Sequence, residues 1–468
     1  MNFNYTLPFF LLFIFSAFQT KAQDSSFQLK DYKFRTPGFR ALKVDLNLNG
    51  SVYDAKYVNQ HNFQSRSFNT NPNIDYFRIT STDKRQHTSG MSLRPSYYSN
   101  SSRFDTSKAK SRASTVSFNH NRMDRFFFKK NFFFETGNEF SVTENNSRQS
   151  YNNSAYNTEG RSFNNKLTLG VGKGRLENVQ DAQMAMFIVN DLQKMGLLQQ
   201  DISAYKLNEL AILITDINNR RVFDNRIRRI YELSRIDSFF KVNNFVNQPS
   251  IAYFTTVNDN WALAFNPGRL SGTAFYFRFR PSVQWSRSES EQNIPGNNSK
   301  SSNRIFLYSY EPVIGFEKQK PVNLYWQKSM GSSLSFEQLW RRSKSAQQNN
   351  NNPTQPAIFE NSSGSSLLFN AFYGVGYYPN NRTIINGGFN LNSRYVFNNE
   401  VGQREDFYFE PGVFLNANYF VNFRTRFFLN ATTLYRFFEP GSVPTPSFVY
   451  QRADFNANIS LGFSHVIL

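Results

Sequence analysis

Four histidines carry the side chains best suited to acid–base or metal chemistry, and they are scattered: His61, His87, His120 and His465. The sequence has no HExxH segment, no other close histidine pair and no GxSxG segment, so neither a zinc site nor a nucleophile elbow is indicated. A Ser-His dyad built on His120 is the one hydrolase arrangement it offers. Because single histidines on strands are usually ordinary wall residues, we predict no enzyme activity, no catalytic residue, no cofactor and no metal site.

A glycine-rich segment, Gly170-Val-Gly-Lys-Gly-Arg, resembles a phosphate-binding loop at first sight. A P-loop places a glycine five residues ahead of the glycine of its Gly-Lys pair and a Ser or Thr directly after the lysine. Here Leu167 and Gly174 occupy those two positions. We therefore interpret the glycines as the point where the chain leaves a strand.

Five arginines close together form the second basic feature: Arg220, Arg221, Arg226, Arg228 and Arg229. Such a cluster could bind nucleic acid or phosphate. Between residues 176 and 245, however, nine basic residues face nine acidic ones, which favours an ion-paired helix face. We predict no nucleic-acid partner and keep these five arginines as a candidate docking element for a periplasmic or outer-membrane protein.

The composition excludes thiol chemistry. The 468 residues include no cysteine, which rules out a disulfide scaffold, a thiolate metal site, a cysteine nucleophile and a lipid-bearing N-terminal cysteine. Lys and Arg number 53 against 34 Asp and Glu, a formal charge of +19, and the mean hydropathy is −0.55. These values suit a polar soluble protein, but 52 Phe and 24 Tyr exceed what such a protein needs.

The apolar run Leu7–Phe18 predicts a secretory signal peptide. Thr20 and Ala22 are the small residues that a signal peptidase reads, which places cleavage after Ala22. The run is too short to span a membrane, and no internal stretch approaches the roughly 20 apolar residues of a transmembrane helix. We therefore expect an exported protein.

Period-two alternation is the clearest structural signal. One block has a polar face, broken only by Tyr276, and an apolar face made of Phe275, Phe277, Phe279, Pro281, Val283 and Trp285. Similar blocks run from Leu42–Leu48 to the C-terminal Asp454–Ser464. A soluble β-sandwich also alternates, but its strands average about 5–6 residues. A lipid-facing band with aromatic girdles explains both the length of the blocks and their aromatic content.

Short and long links alternate between these blocks, as they do between the periplasmic turns and extracellular loops of outer-membrane barrels. The long links, rich in Asn and Ser, include 99–111, 145–161 and 287–302. Six blocks from 41 to 172 and eight from 272 to 467 predict an all-β transmembrane antiparallel barrel of about 14 strands. A short hairpin within Ser250–Trp261 would make 16.

Helical periodicity replaces alternation between the two halves. Leu207, Leu210, Ala211, Ile214 and Ile217 share one helix face, with Ser203 as a plausible N-cap. Leu176–Met195, ended by Gly196, and Arg220–Phe240 predict two further helices. The predicted organisation is a signal peptide at 1–22, an N-terminal periplasmic or plug segment at 23–40, strands 1–6 at 41–174, a small α-helical periplasmic or plug insertion at 175–271, and strands 7–14 at 272–468.

The polar phase of the strands predicts which side chains line the lumen: Lys43, Asp45, Arg94, Glu135, Glu139, Lys166, Arg278, Arg280, Glu311, Glu317, Glu337, Arg394, Glu410, Arg426, Arg436 and Asp454. Arg78 is assigned to the same wall, although its strand alternates poorly. Near-balanced charge suggests internal ion pairing and argues against a strongly anion-selective pore. Lys328 falls in the apolar phase, where a lysine at mid-membrane would cost roughly 2–4 kcal/mol.

The Phe-, Asn- and Tyr-rich barrel pattern and the helical block make the chain resemble porin-like outer-membrane β-barrel proteins of Bacteroidota-type bacteria. The motif-like residues of that block are Gly172-Lys173-Gly174-Arg175, Asp181-Ala182, Asp216, Arg220-Arg221, Asp224 and Arg228. The resemblance implies a location in the Gram-negative outer membrane and a porin, transporter or assembly-partner role. It implies no chemistry, and no functional residue carries over from it.

We therefore predict a porin-like channel or transporter for small polar solutes. The alternative is a structural or interaction subunit of a larger outer-membrane complex that docks a periplasmic or outer-membrane protein through residues 175–245. The surplus basic residues are expected in loops and turns, where they would meet outer-membrane lipid and lipopolysaccharide.

Overall fold

The fold is described from a computed structural model. It describes residues 27–56, 62–105, 107–219, 225–246, 250–261, 269–349, 356–399, 405–421, 425–440 and 453–465. The predicted signal peptide, Arg220 and Arg221 lie outside these residues. Among the described helices, none combines the length and apolarity needed to cross a membrane.

In the described ranges, sixteen strands form one antiparallel sheet in which neighbours along the chain are mostly neighbours in space. Those of the first half are β1 (Thr36–Asp45), β2 (Leu48–Lys56), β3 (Asn62–Thr70), β4 (Asn73–Ser81), β5 (Arg85–Phe104), β6 (Ser107–Phe127), β7 (Phe132–Tyr151) and β8 (Ser154–Asn178). Those of the second half are β9 (Leu270–Ile294), β10 (Asn297–Pro321), β11 (Trp326–Asn349), β12 (Ile358–Asn380), β13 (Thr383–Asn399), β14 (Glu405–Phe420), β15 (Thr425–Pro440) and β16 (Ala453–His465).

The predicted fold class, an antiparallel β-barrel architecture with a small helical insertion, is confirmed. The strand count agrees with both predicted numbers, 14 and 16. Strand β1 pairs with β4 and β2 with β3, while β5 pairs with both β3 and β4. The first two strands are thus each broken into two pieces. Sixteen strands therefore occupy fourteen positions along the sheet, six before the helical insertion and eight after it.

Two sequence-based expectations about links and strands are wrong. The Asn- and Ser-rich stretches 99–111, 145–161 and 287–302 are not long loops, because paired strands run through most of each stretch and reach to within a few residues of its turn. Backbone pairing needs no apolar side chains, so polar strands continue past the apolar part of the sheet. Ile251–Trp261 is a helix rather than a hairpin, since its apolar residues pack into a helical core.

Four helices connect β8 to β9: α1 (Gln180–Lys194), α2 (Ala204–Asn219), α3 (Asn225–Val242) and α4 (Ile251–Trp261). The predicted caps are present. The hydroxyl of Ser203 accepts a hydrogen bond from the Lys206 amide at 3.3 Å, and Gly196 adopts the left-handed φ of +66° that ends α1. The strand β8 extends through Leu176, which was expected in the first helix.

The hydrophobic core lies in these helices rather than in the sheet. Ile188, Leu210, Ile214 and Phe240 are fully buried in it. Phe27, Leu29 and Tyr32 from the N-terminal segment complete the same core. We call α1–α4 together with residues 27–35 the cap. Burial of the N-terminal segment explains why the cap is one body although its pieces are about 150 residues apart in the chain.

The sheet presents two different faces. Facing residues of neighbouring strands share a side, so the register groups exposed Phe277 with Val171 and Ile314 on an apolar face. On the other side, the polar face, Arg278 faces Gly170 and Val313.

Candidate functional site

The register places all sixteen predicted lumen residues on the polar face. Glu139 lies opposite Lys166, Arg280 opposite Glu311, and Arg436 opposite Asp454. Eight of the sixteen are basic and eight are acidic. Arg78 does not belong to this set, because it pairs with Arg40 and Ser89 on the apolar face.

Glu135 is the most deeply buried charge of the polar face, with no exposed surface. Its carboxylate accepts a 2.6 Å hydrogen bond from Arg125 Nε and bonds of 2.5 and 3.2 Å from Nε and Nη2 of Arg278. Arg278 also lies over the ring of Tyr276, 3.7 Å from its centroid. One carboxylate thus holds two arginines from strands on either side of it.

A second ion-paired group joins three strands. Glu311 on β10 accepts hydrogen bonds from Arg280 on β9 at 3.1 Å and from Lys166 on β8 at 2.9 Å. Two further pairs follow toward the C-terminus, Arg394 with Glu337 at 3.4 Å and Arg436 with Glu410 at 2.6 Å. The predicted internal ion pairing of this wall therefore has a definite geometry.

The remaining predicted wall residues are more exposed or more loosely held. Lys43 pairs with Asp45 at 2.6 Å, and Arg94 approaches Asp75 at 4.0 Å. The other contacts are a 3.0 Å hydrogen bond from Gln319 to Glu317, the Arg426 guanidinium 5.6 Å from the Phe428 ring centroid, and a cavity of about 510 Å³ beside Glu139. Asp75, Asn119 and Asn121 also line that cavity.

A buried arginine just before β9 holds the β10–β11 turn. Arg269, 2% exposed, precedes β9 and donates hydrogen bonds to the carbonyls of Leu324, Asn323 and Trp326 at 2.5, 3.0 and 2.7 Å. It also donates to Gln327 Oε1 at 3.2 Å. Burial lowers the pKa of Arg269 to about 10, so the group stays charged at neutral pH. Its donors satisfy the buried hydrogen-bond acceptors of the β10–β11 turn.

The end of α4 is attached to the β12–β13 turn. Arg382 donates a hydrogen bond to Asp259, and Asn381 Nδ2 donates one to Asn260 Oδ1 at 2.5 Å. In addition, Phe187 of α1 packs on Tyr325, with ring centroids 6.2 Å apart. The cap is therefore held at two successive short turns on this side of the sheet.

A third attachment lies at the β4–β5 turn. Arg175 donates to the carbonyls of Asp83 and Thr82 at 3.0 and 2.8 Å, and it pairs with Glu177 at 2.8 Å. Arg35 bridges Asp83 and Glu177 at 2.7 and 2.9 Å. The N-terminal segment and the end of β8 are thus tied to the same turn.

The short-turn end of the sheet is curled. Gln86 on β5 donates a 2.9 Å hydrogen bond to the carbonyl of Leu176 on β8, and Arg175 on β8 reaches the β4–β5 turn. On a flat sheet, β5 and β8 would lie three strands or roughly 14 Å apart, which is farther than a glutamine side chain reaches. The strands therefore bend toward one another at this end.

A buried hydrogen-bond relay connects the three parts of the cap. The Tyr32 hydroxyl bonds to Thr215 Oγ1, which donates to Asp181 Oδ2 at 2.5 Å, and Asn218 donates to Asp181 Oδ1 at 3.3 Å. Burial raises the pKa of Asp181 to about 6. It also raises the pKa of Tyr32, so its hydroxyl keeps the proton that it donates.

The raised pKa of Asp181 makes cap stability depend on pH. Between the ordinary value of 3.8 and about 6, the folded cap binds a proton that the unfolded chain does not, so stability falls as pH rises through this window. We expect a loss of at most about 3 kcal/mol. Thermal melts followed by the helical circular-dichroism signal should show it. Asp181→Asn should flatten the pH dependence of cap stability, whereas Asp201→Asn, a change at an exposed carboxylate, should leave it as it is. An unchanged pH dependence in Asp181→Asn contradicts its assignment to Asp181.

The predicted docking arginines are partly engaged inside the cap. Arg228 bonds to Glu232 at 2.7 Å, and Arg229 donates to the side chain and carbonyl of Asn258 at 3.0 Å. Glu232 in turn accepts a 2.6 Å bond from the buried indole of Trp261. Arg226 belongs to α3, but its side chain lies outside the described set.

Sequence reasoning missed several of these residues. Arg125 and Arg382 are not among the predicted wall or docking residues, and Arg269 precedes a strand without any motif around it. By contrast, Arg175 and Asp181 had been singled out within the helical block, although without a role.

Comparison with known proteins adds a fold likeness of low similarity. No family model and no curated protein matches the chain. Among solved structures, the translocator domain of the autotransporter NalP from Neisseria meningitidis aligns at 8% identity and a TM-score of 0.28, covering 83% of this chain and 90% of that one. The Pseudomonas putida toluene transporter TodX aligns at 8% and 0.30, covering 92% and 88%. At these scores the likeness carries no argument, and the fold rests on the register above.

Proposed function

We propose that the chain is an outer-membrane β-barrel channel for small polar solutes, with the cap across its short-turn end. The observation that carries the proposal is the division of one curled sheet into an exposed apolar face and an ion-paired polar face. A soluble protein would cover the apolar face. In a bilayer, lipid covers it, and the polar face then encloses the path of the solute.

The apolar face has the height of a membrane. On β9 it runs from Phe275 to Trp285, ten residue steps or about 33 Å along the strand. With the roughly 40° tilt usual for barrel strands, this corresponds to about 25 Å, the height of the apolar band in outer-membrane barrels. Phe275 and Phe277 are 57% and 50% exposed, which suits contact with lipid.

The charge pattern of the polar face indicates the class of solute. Eight basic and eight acidic side chains, many of them paired, give a hydrated wall without a dominant sign. Such a wall fits small polar solutes with little preference for anions or cations. The cap, tied to three short turns, stands where it restricts passage.

Planar-bilayer recording tests this function. The protein should produce discrete conductance steps with weak ion selectivity. Replacing residues 179–268 by a short glycine linker between β8 and β9 should keep the steps and increase their size. A silent bilayer with both proteins, each shown to be folded by heat-modifiable migration, would contradict the channel.

One observation favours the alternative role in docking. Tyr205, Ile230 and Ile251 on the cap are 69%, 61% and 84% exposed, more than an isolated helical unit requires. A periplasmic or outer-membrane protein partner would cover them. Two results together would favour docking over the channel. A partner would co-purify stoichiometrically with the protein and be lost in Ile230→Ser/Ile251→Ser, and the bilayer would be silent.

A further inference from the structure

A cluster of charges lies on the apolar face, where lipid is expected. Asp124 on β6 has no exposed surface. It accepts hydrogen bonds from Arg85 at 2.6 Å, from Arg122 at 2.6 Å and from His87 Nδ1 at 2.8 Å. We call these four residues, with Arg78, the Asp124 cluster.

The strand register places the Asp124 cluster on the apolar face of the sheet. His87 faces Asp124 and Arg122 faces Ser89, in phase with exposed Met91 and Leu93 farther along β5. Arg78 faces Ser89 from β4. The cluster therefore lies near the short-turn end of these strands, about 10 Å from the strand ends at the β4–β5 and β6–β7 turns. The apolar residues of the same strands lie farther from these turns.

The cluster carries an excess of positive charge. At the short-turn end of β1, β4, β5 and β6, Asp124 is the one carboxylate on the apolar face among the described residues, against Arg40, Arg78, Arg85 and Arg122. The Nε atom of Arg78 is buried and makes no hydrogen bond. Uncompensated arginines in hydrocarbon are costly, so this site calls for an anion.

The same border of the sheet is basic elsewhere. Lys320 faces Lys328 across β10 and β11, and both are exposed on the apolar face next to Trp326. Lys173 lies 5.2 Å from the ring centroid of Phe132. Basic and aromatic side chains along a whole border match a membrane interface better than the footprint of one protein. A second copy is disfavoured because equal positive patches repel.

Building on the proposed membrane location, we infer that the Asp124 cluster binds the phosphate of an anionic phospholipid headgroup. Asp124 holds Arg85 and Arg122 in place, and Arg122 and Arg78 present N–H groups to the phosphate oxygens. The acyl chains then lie along Met91, Leu93 and the neighbouring apolar residues. The site is a specific lipid site at the short-turn end of the barrel.

Native mass spectrometry tests this site with short-chain phosphatidylglycerol titrated onto the full chain in zwitterionic detergent. The unaltered protein should bind it more tightly than phosphatidylcholine. Arg78→Ala/Arg122→Ala should weaken this binding about tenfold or more, since two charged contacts are lost, and Arg78→Lys/Arg122→Lys should restore most of it. The matched control is Lys110→Ala/Arg112→Ala, on the same face of β6 at its opposite end.

Several outcomes would overturn the inference. Equal binding by Arg78→Ala/Arg122→Ala and the control pair, displacement by equimolar inorganic phosphate, or a stoichiometric protein at the site in place of lipid would each do so. Heat-modifiable migration shows that each variant is folded. A silent bilayer with intact lipid binding contradicts the channel alone, whereas normal conductance without lipid preference contradicts this site alone.

Discussion

Replacing Glu135 by Ala is expected to destabilise the barrel by about 3–5 kcal/mol, the cost of removing one partner from a buried ionic group. Arg125 and Arg278 would lose the carboxylate that holds both of them, at 2.6 and 2.5 Å. Their charges would remain on a wall that is otherwise balanced. We therefore expect the channel to become anion-selective, because two uncompensated guanidinium groups attract anions into the lumen.

Glu139 provides the matched control for this change. It lies on the same strand and the same face, four residues further along, and it is exposed. Glu139→Ala should alter thermal stability and reversal potential little. Urea-dependent unfolding and reversal potentials in a salt gradient measure the two effects. Equal behaviour of the two variants would show that the buried group does not organise the wall.

Replacing Arg269 by Ala is expected to loosen the β10–β11 turn. Three backbone carbonyls and the Gln327 side chain lose their donor in a buried site, and each unsatisfied group costs about 1–3 kcal/mol. A local loss of about 3 kcal/mol or more would speed hydrogen exchange of the turn amides over 100-fold, since 1.4 kcal/mol is tenfold.

Arg269→Lys separates charge from geometry in this anchor. Lysine keeps the positive charge, but its compact ammonium cannot reach four acceptors at once, so an intermediate exchange rate is expected. Arg287→Ala, on the distant part of β9, should leave the turn unchanged. Slow exchange at the β10–β11 turn in Arg269→Ala would mean that other contacts hold this turn.

The sequence was informative where a periodic pattern decides the structure. Alternation placed residues such as Glu311 and Arg394 on the correct face, because a strand exposes every second side chain on the same side. Helical spacing from Leu207 to Ile217 predicted α2 for the same reason. These features depend only on local geometry.

Features set by distant parts of the chain could not be predicted in this way. Arg269 reaches carbonyls more than 50 residues away, and Tyr32 meets Thr215 across 183 positions. The broken first strands hid the side of Arg78, since a break in pairing shifts the alternation. Ile251–Trp261 lacked strong helical spacing and became a helix through its packing on the cap core.

The long polar hairpins have a consequence for recognition from outside the cell. Beyond Trp285, β9 and β10 continue as paired strands to a tight turn at Gly296. Under the proposed function, with the cap end in the periplasm, these ladders form stiff walls that project from the cell surface. An antibody or a phage adhesin would meet a preorganised epitope, so its binding would lose little entropy in ordering the target. Substitutions on these ladders, where both faces are hydrated, could change the epitope without disturbing the membrane part.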